Sequence, residues 1–210
     1  MALTPVVVRD GNNAAQNMNA LQDPSGNNMS MVSVDSTRAT YRAGASFTPT
    51  ATGGVTLFSI QGSATKTIRI KRIGLGGAST ALSIAPIVSL QRVSALGAGG
   101  TTVSPTIAKM DTGSAAATAV VSHYTATLKA AGTGVGGPIS VQRLFTDTVT
   151  TPTVASRQGL MLFPEYGAPI GQAIVLRGVA DFLEVDNINA GNLAAGTVLE
   201  YFVEWEEDAS

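Results

Sequence analysis

Hydrophobic positions in this chain recur with a period of two over most of its length. Lys66-Thr67-Ile68-Arg69-Ile70-Lys71 alternates polar and apolar residues, as a strand with one buried face does. Ile73 and Leu75 fall on the opposite parity to Ile68 and Ile70, and a β-bulge near Lys71-Arg72 would bring all four to one core face. A strand is predicted over Val55–Ile60, ended by Gly62-Ser63, and others over 84–93, 119–127, 139–145, 160–163, 173–177 and 182–185. The clearest lies at 197–207, where Leu199, Tyr201, Val203 and Trp205 share a face bound for a core. Glu200, Glu204 and Glu206 share its other face with Val198 and Phe202. Helical propensity is confined to the short runs Ala115-Ala116-Ala117 and Asn192-Leu193-Ala194-Ala195. Short strands separated by Gly-, Thr- and Pro-rich turns predict an all-β fold, a β-sandwich of jelly-roll type.

Residues 1–43 differ from the rest. Val6-Val7-Val8 leads into Arg9-Asp10-Gly11-Asn12-Asn13, where Asp-Gly favours a tight turn, and an Asn-, Gln- and Met-rich stretch follows. This segment has few large apolar residues for a core of its own. It reads as an extended amino-terminal arm that becomes ordered against a neighbouring subunit, with strand addition by Val6 to Val8 the simplest route. Residues 44–210 form the expected β-sandwich body.

Composition narrows the function. The 210 residues include one histidine, His123, no cysteine, 13% charged residues and 23 glycines. Catalysis and metal binding draw chiefly on His, Cys, Asp, Glu and Lys, which are scarce here and scattered. A formal charge of −1 argues against binding nucleic acid through phosphate contacts. No run of about 18 apolar residues predicts a membrane span, and Met1–Asp10 lacks the features of a secretory signal. Charge is uneven along the chain: from Asp181 onward there are eight acids and neither Lys nor Arg, whereas Lys66, Arg69, Lys71 and Arg72 crowd one predicted strand. Two arrangements fit, solvated faces or complementary patches on adjacent copies.

Candidate sites are few. Gly132-Thr133-Gly134-Val135-Gly136-Gly137 satisfies GxGxxG, but it leads into Pro138 and a strand rather than a helix, so a connection is expected. Asp186-Asn187-Ile188-Asn189-Ala190-Gly191-Asn192 alternates oxygen ligands as calcium loops do, yet lacks the distal acid, and a turn is expected. Glu204 and Glu206 have the spacing of a glycosidase pair but read better as a charged strand edge. His123 has no Ser-His-Asp pattern around it and is expected at the surface or in a hydrogen bond. Asn28-Met29-Ser30 is a glycosylation sequon by letter only. No catalytic residue, metal or cofactor is expected.

Three stretches carry a resemblance: Val6-Val7-Val8-Arg9-Asp10-Gly11-Asn12, Gly62-Ser63-Ala64-Thr65-Lys66-Thr67-Ile68-Arg69-Ile70-Lys71-Arg72-Ile73, and Ile174-Val175-Leu176-Arg177-Gly178-Val179-Ala180 ahead of Glu204-Trp205-Glu206-Glu207. In that order they span most of the chain and resemble a family of tailed-bacteriophage virion structural proteins. The resemblance implies a non-enzymatic component of the virion, assembled in the host cytoplasm. The expected role is a capsid decoration or cement protein, a homo-oligomer (trimer or ring) whose partners are the major capsid protein or other virion proteins. Its expected contacts are Val6, Val7, Val8 and Arg9 of the arm, the basic Lys66, Arg69, Lys71 and Arg72, and the acidic Glu200, Glu204 and Glu206. The alternative is a tail, neck or fibre-associated protein that binds host-surface carbohydrate, for which Tyr124, Tyr166 and Trp205 are the obvious aromatics.

Overall fold

The computed structural model describes residues 7–9, 15–17, 20–22, 28–30, 38–49, 56–79, 86–125, 130–148, 161–163, 173–188, 193 and 196–209. The chain divides into two compact units at residues 38 and 39. In the first, β1 (Val7–Arg9) pairs antiparallel with β2 (Ala15–Asn17), and β3 (Ala20–Gln22) with β4 (Asn28–Ser30). Val7 and Val8 are therefore already partnered within their own segment, opposite Asn17 and Gln16. Val6 lies outside the described residues.

The second unit is all β among its described residues. Its long strands are β5 (Ala39–Phe47), β6 (Thr56–Gln61), β7 (Lys66–Ser79) and β8 (Ile87–Ala95). Shorter ones follow: β9 (Thr102–Val103), β10 (Ile107–Lys109), β11 (Val120–Tyr124), β12 (Thr133–Gly134), β13 (Ser140–Arg143), β14 (Asp147–Thr148), β15 (Met161–Phe163) and β16 (Ile174–Arg177). The chain then forms β17 (Phe182–Asn187) and β18 (Val198–Ala209). Sheet 1 runs β10-β5-β18-β7, with β14, β15 and β16 along the far edge of β7. Sheet 2 runs β8-β17-β6-β11-β9, with β12 and β13 along the outer edge of β8. The sheets pack as a β-sandwich around one apolar core that draws Ile68, Ile70, Leu199 and Val203 from sheet 1 and Leu57, Ile60, Leu90 and Val185 from sheet 2.

Alternation accounts for most of this. On β18, Leu199, Tyr201, Val203 and Trp205 are buried, while Glu200, Phe202, Glu204 and Glu206 are half-buried on the outer face. Each fully buried aliphatic or aromatic side chain contributes roughly 1.5–3 kcal/mol. On β7, Ile68, Ile70, Ile73 and Leu75 are all buried. The phase of burial changes at Lys71-Arg72, where a bulge is expected from the sequence. β5 begins at Ala39, ahead of the boundary expected at residue 43, and its Tyr41 and Ala43 are core residues. The Ala115–Ala117 run forms no helix. Ile84 and most of Asn192–Ala195 lie outside the described residues.

The apolar row of β18 ends on an acid. Glu207 follows Trp205 on the core face and is 5% exposed. Its Oε1 accepts from Thr118 N (2.9 Å), Ala119 N (3.0 Å) and Trp205 Nε1 (3.0 Å), and its Oε2 from Thr118 Oγ1 (2.8 Å). Charge-assisted bonds of this kind are the stronger class, and here they tie the strand-free segment before β11 to the end of sheet 1. Replacing Glu207 by Ala leaves these buried donors unpaired. The variant is expected to lose on the order of 3 kcal/mol in urea unfolding, and Glu207→Gln, which keeps one acceptor oxygen, to lose less.

Candidate functional site

Three features stand out once the strands are placed: the outer face of sheet 1, a set of buried polar side chains in and behind sheet 2, and the β13 edge. On the outer face of sheet 1, the basic strand and the acidic strand are neighbours within one chain. Lys71 Nζ donates to Glu206 Oε1 (2.8 Å), and Arg69 is paired with Asp208. These are partly exposed pairs, each worth at most about 1 kcal/mol. They assign three of the expected intermolecular charges, Arg69, Lys71 and Glu206, to contacts inside the chain. Arg72 is exposed and Lys66 half-buried at the start of β7.

Phe202 lies between the two flanking strands on this face. A Cβ at Gly74 would sit 2.2 Å from its ring and one at Gly44 3.3 Å from its Cβ. The missing side chains thus leave the ring its place across β5 and β7. Arg42 stacks its guanidinium 4.3 Å from the ring centroid. Beside them, Arg42, Gly44, Thr106, Ala108, Glu200 and Phe202 line an open groove of about 520 Å³. Glu204 lies opposite Arg42 in the β18–β5 register.

Sheet 2 carries polar groups that periodicity alone does not reveal. His123 is buried in the core, its Nδ1 3.1 Å from the Tyr201 hydroxyl and its ring 4.9 Å from that of Phe47. Burial holds its pKa below the usual 6.5. Glu184 and Asp186 project from the opposite face of β17, both essentially inaccessible. Gly132 N donates to Glu184 Oε2 (2.9 Å), Gln91 Nε2 donates to Asp186, and Tyr124 and Ser59 share a 2.9 Å hydrogen bond on the neighbouring strands. Burial raises the Asp186 pKa, and Thr56 and Gln91 oppose the shift. A Cβ at Gly132 would meet Ala95 O at 2.4 Å, so the first glycine of the GxGxxG run serves close packing over β17. The run then enters β12 and turns at Gly136, whose φ is +80°.

Several expected sites resolve differently. Tyr124 and Trp205 are 1% and 0% exposed and offer no surface for a sugar, and Tyr166 lies outside the described residues. Asp186 and Asn187 belong to β17 and not to the turn expected of them, and residues 189–192 lie outside the described residues. Glu204 and Glu206 stand on β18, which lies between β5 and β7 inside sheet 1 and not at the charged strand edge expected of them, and Glu206 is held by Lys71. No group of three or more His, Cys, Asp or Glu suited to a metal exists among the described residues. That Glu184, Asp186 and Glu207 are buried escaped sequence reasoning, although each follows directly on an apolar row or alternates with one.

The third feature is the edge of sheet 2 at β13. Ile139, Val141 and Phe145, at alternate positions, are 41%, 49% and 67% exposed, and Ile188 is exposed on the same face. Among the described residues no strand pairs with the outer edge of β13.

No protein-family profile matches the chain, and no curated protein or solved structure matches it.

The depressed His123 pKa has a testable sign. Stability from the neutral ring is present above the unfolded value of 6.5 and is lost as the pH falls through the folded value. Thermal unfolding followed between about pH 7 and 5.5 is expected to show a falling midpoint, and His123→Gln to flatten that slope.

Proposed function

We propose that this chain is a non-enzymatic structural protein of a tailed-phage virion, a decoration or cement protein with a jelly-roll body and an amino-terminal segment that contacts neighbours. The observation that carries the reading is strand order. β5, β6, β7 and β8 alternate between the sheets, β13 lies beside β8, β16 beside β7, β17 between β6 and β8, and β18 between β5 and β7. With β9 to β12, β14 and β15 set aside, the halves read β5-β18-β7-β16 and β6-β17-β8-β13, the sequence of crossings that a rolled-up pair of Greek keys produces. Viral shell proteins and lectins both use that architecture.

Two further observations support a structural role over a catalytic one. The lone histidine and the buried acids are engaged in packing and in anchoring loops. Exposed Ile139, Val141, Phe145 and Ile188 gather along one sheet edge, where a partner chain would cover them. In such a role each bound copy stabilises the shell by its own affinity, and many weak contacts act together. Its partners would be the major capsid protein or other virion proteins, together with further copies of itself as a trimer or ring.

Quantitative mass spectrometry of purified particles tests this reading. A copy number close to that of the major capsid protein is expected, and a few copies per particle would overturn the decoration role in favour of the neck or tail. A second reading, a tail-associated protein that binds carbohydrate, is favoured by the groove beside Phe202, Arg42 and Glu200. It predicts glycan-array binding that Phe202→Ala abolishes.

A further inference from the structure

We infer that the β13 edge receives the Val6–Asp10 segment of a second copy of this chain as an added parallel strand. The inference rests on the proposed role of the amino-terminal segment and identifies its acceptor.

The acceptor has the properties of an open template. Its outer edge has no strand partner among the described residues, so alternate N–H and C=O groups of β13 face outward. Ile139, Val141, Arg143 and Phe145 fall on one face by parity, and the three apolar ones are exposed. Arg143 is exposed as well, whereas Arg69, Lys71 and Arg92 are held in ion pairs. Charge on an edge strand ordinarily discourages pairing, yet a single Arg also selects a partner that carries an acid at the matching position.

Val6–Asp10, which belongs to neither sheet of the body, matches it. Aligned in parallel, Val6 stands beside Ile139, Val8 beside Val141 and Asp10 beside Arg143. Ile139, Val141 and Arg143 then each meet a chemical complement. The antiparallel alternative that joins Asp10 to Arg143 places Val8 beside Phe145 but Val6 beside Asp147, an apolar residue against an acid. Pro5 falls at the start of the added strand, where its lack of an N–H is tolerated. β1 keeps its pairing with β2 through one edge and presents the other to β13 of the neighbour.

The absence of cysteine from the chain permits a direct test. Val8→Cys and Val141→Cys variants are prepared separately, mixed, and treated with a short thiol–thiol crosslinker. A covalent dimer containing one of each is expected, and none with Val120→Cys, an exposed position on β11. Arg143→Asp in the Val141→Cys partner is expected to lower the yield roughly fivefold, the upper range for a cross-strand charge pair, and Asp10→Arg in the other partner to restore it. Equal crosslinking to Val120→Cys, or a yield that ignores Arg143→Asp, overturns the inference. Crosslinking of Val8→Cys to another virion protein but not to Val141→Cys overturns it while leaving the arm reading intact. No crosslink at all, together with unchanged particle binding after deletion of residues 1–40, removes the arm reading itself.

Discussion

The sandwich depends on how sheet 1 and sheet 2 meet at Tyr201. Its ring stacks on Phe58 across the interface, with centroids 4.3 Å apart and planes inclined by 16°, and meets Phe47 edge-on. A phenol buried at this depth must give its hydroxyl a partner, because an unmet one costs on the order of 2 kcal/mol. His123 provides that partner from sheet 2. Apolar area drives the sheets together, but it is non-directional. The Tyr201–His123 bond adds a contact with a defined distance and orientation, and so sets which strand of one sheet lies over which strand of the other.

The same economy governs the charges. Acidic residues dominate β17 and β18, yet few of them act as simple surface charge. Glu206 and Asp208 neutralise Lys71 and Arg69 on the adjacent strand. Glu207 and Glu184 collect backbone N–H groups from segments that have no sheet to join, at Thr118, Ala119 and Gly132. A carboxylate accepts several donors at once, which lets a strand hold a neighbouring loop without contributing a large side chain. The low content of charged residues is therefore matched by intensive use of those present.

Much of the sheet structure was legible in the sequence because a half-buried strand writes its burial into alternate positions. β18 and the phase change within β7 are read directly from Leu199, Tyr201, Val203 and Trp205 and from the two isoleucine-led pairs. What failed was any inference that needed to know which strands are adjacent. The basic and acidic strands fitted intermolecular contacts equally well until their order placed them side by side. Tyr124 and Trp205 looked available as sugar platforms because periodicity reports a side chain's face, not whether a second layer covers that face. β17 is the sharpest case: all six of its residues are buried, so its acids lie in an interior that alternation assigns to solvent.

The position of β18 has a kinetic consequence. Phe47 pairs with Leu199 and Tyr41 with Trp205, so one edge of β5 must wait for a strand made late in the chain, while the other meets β10. β18 also separates β5 from β7, which leaves sheet 1 divided until it inserts. A topology dominated by such distant pairings folds slowly, since loop closure must be achieved before the contacts reward it. During synthesis the edge of β5 that β18 will occupy therefore stays unpaired until β18 has been made, and β5 and β7 remain apart until then.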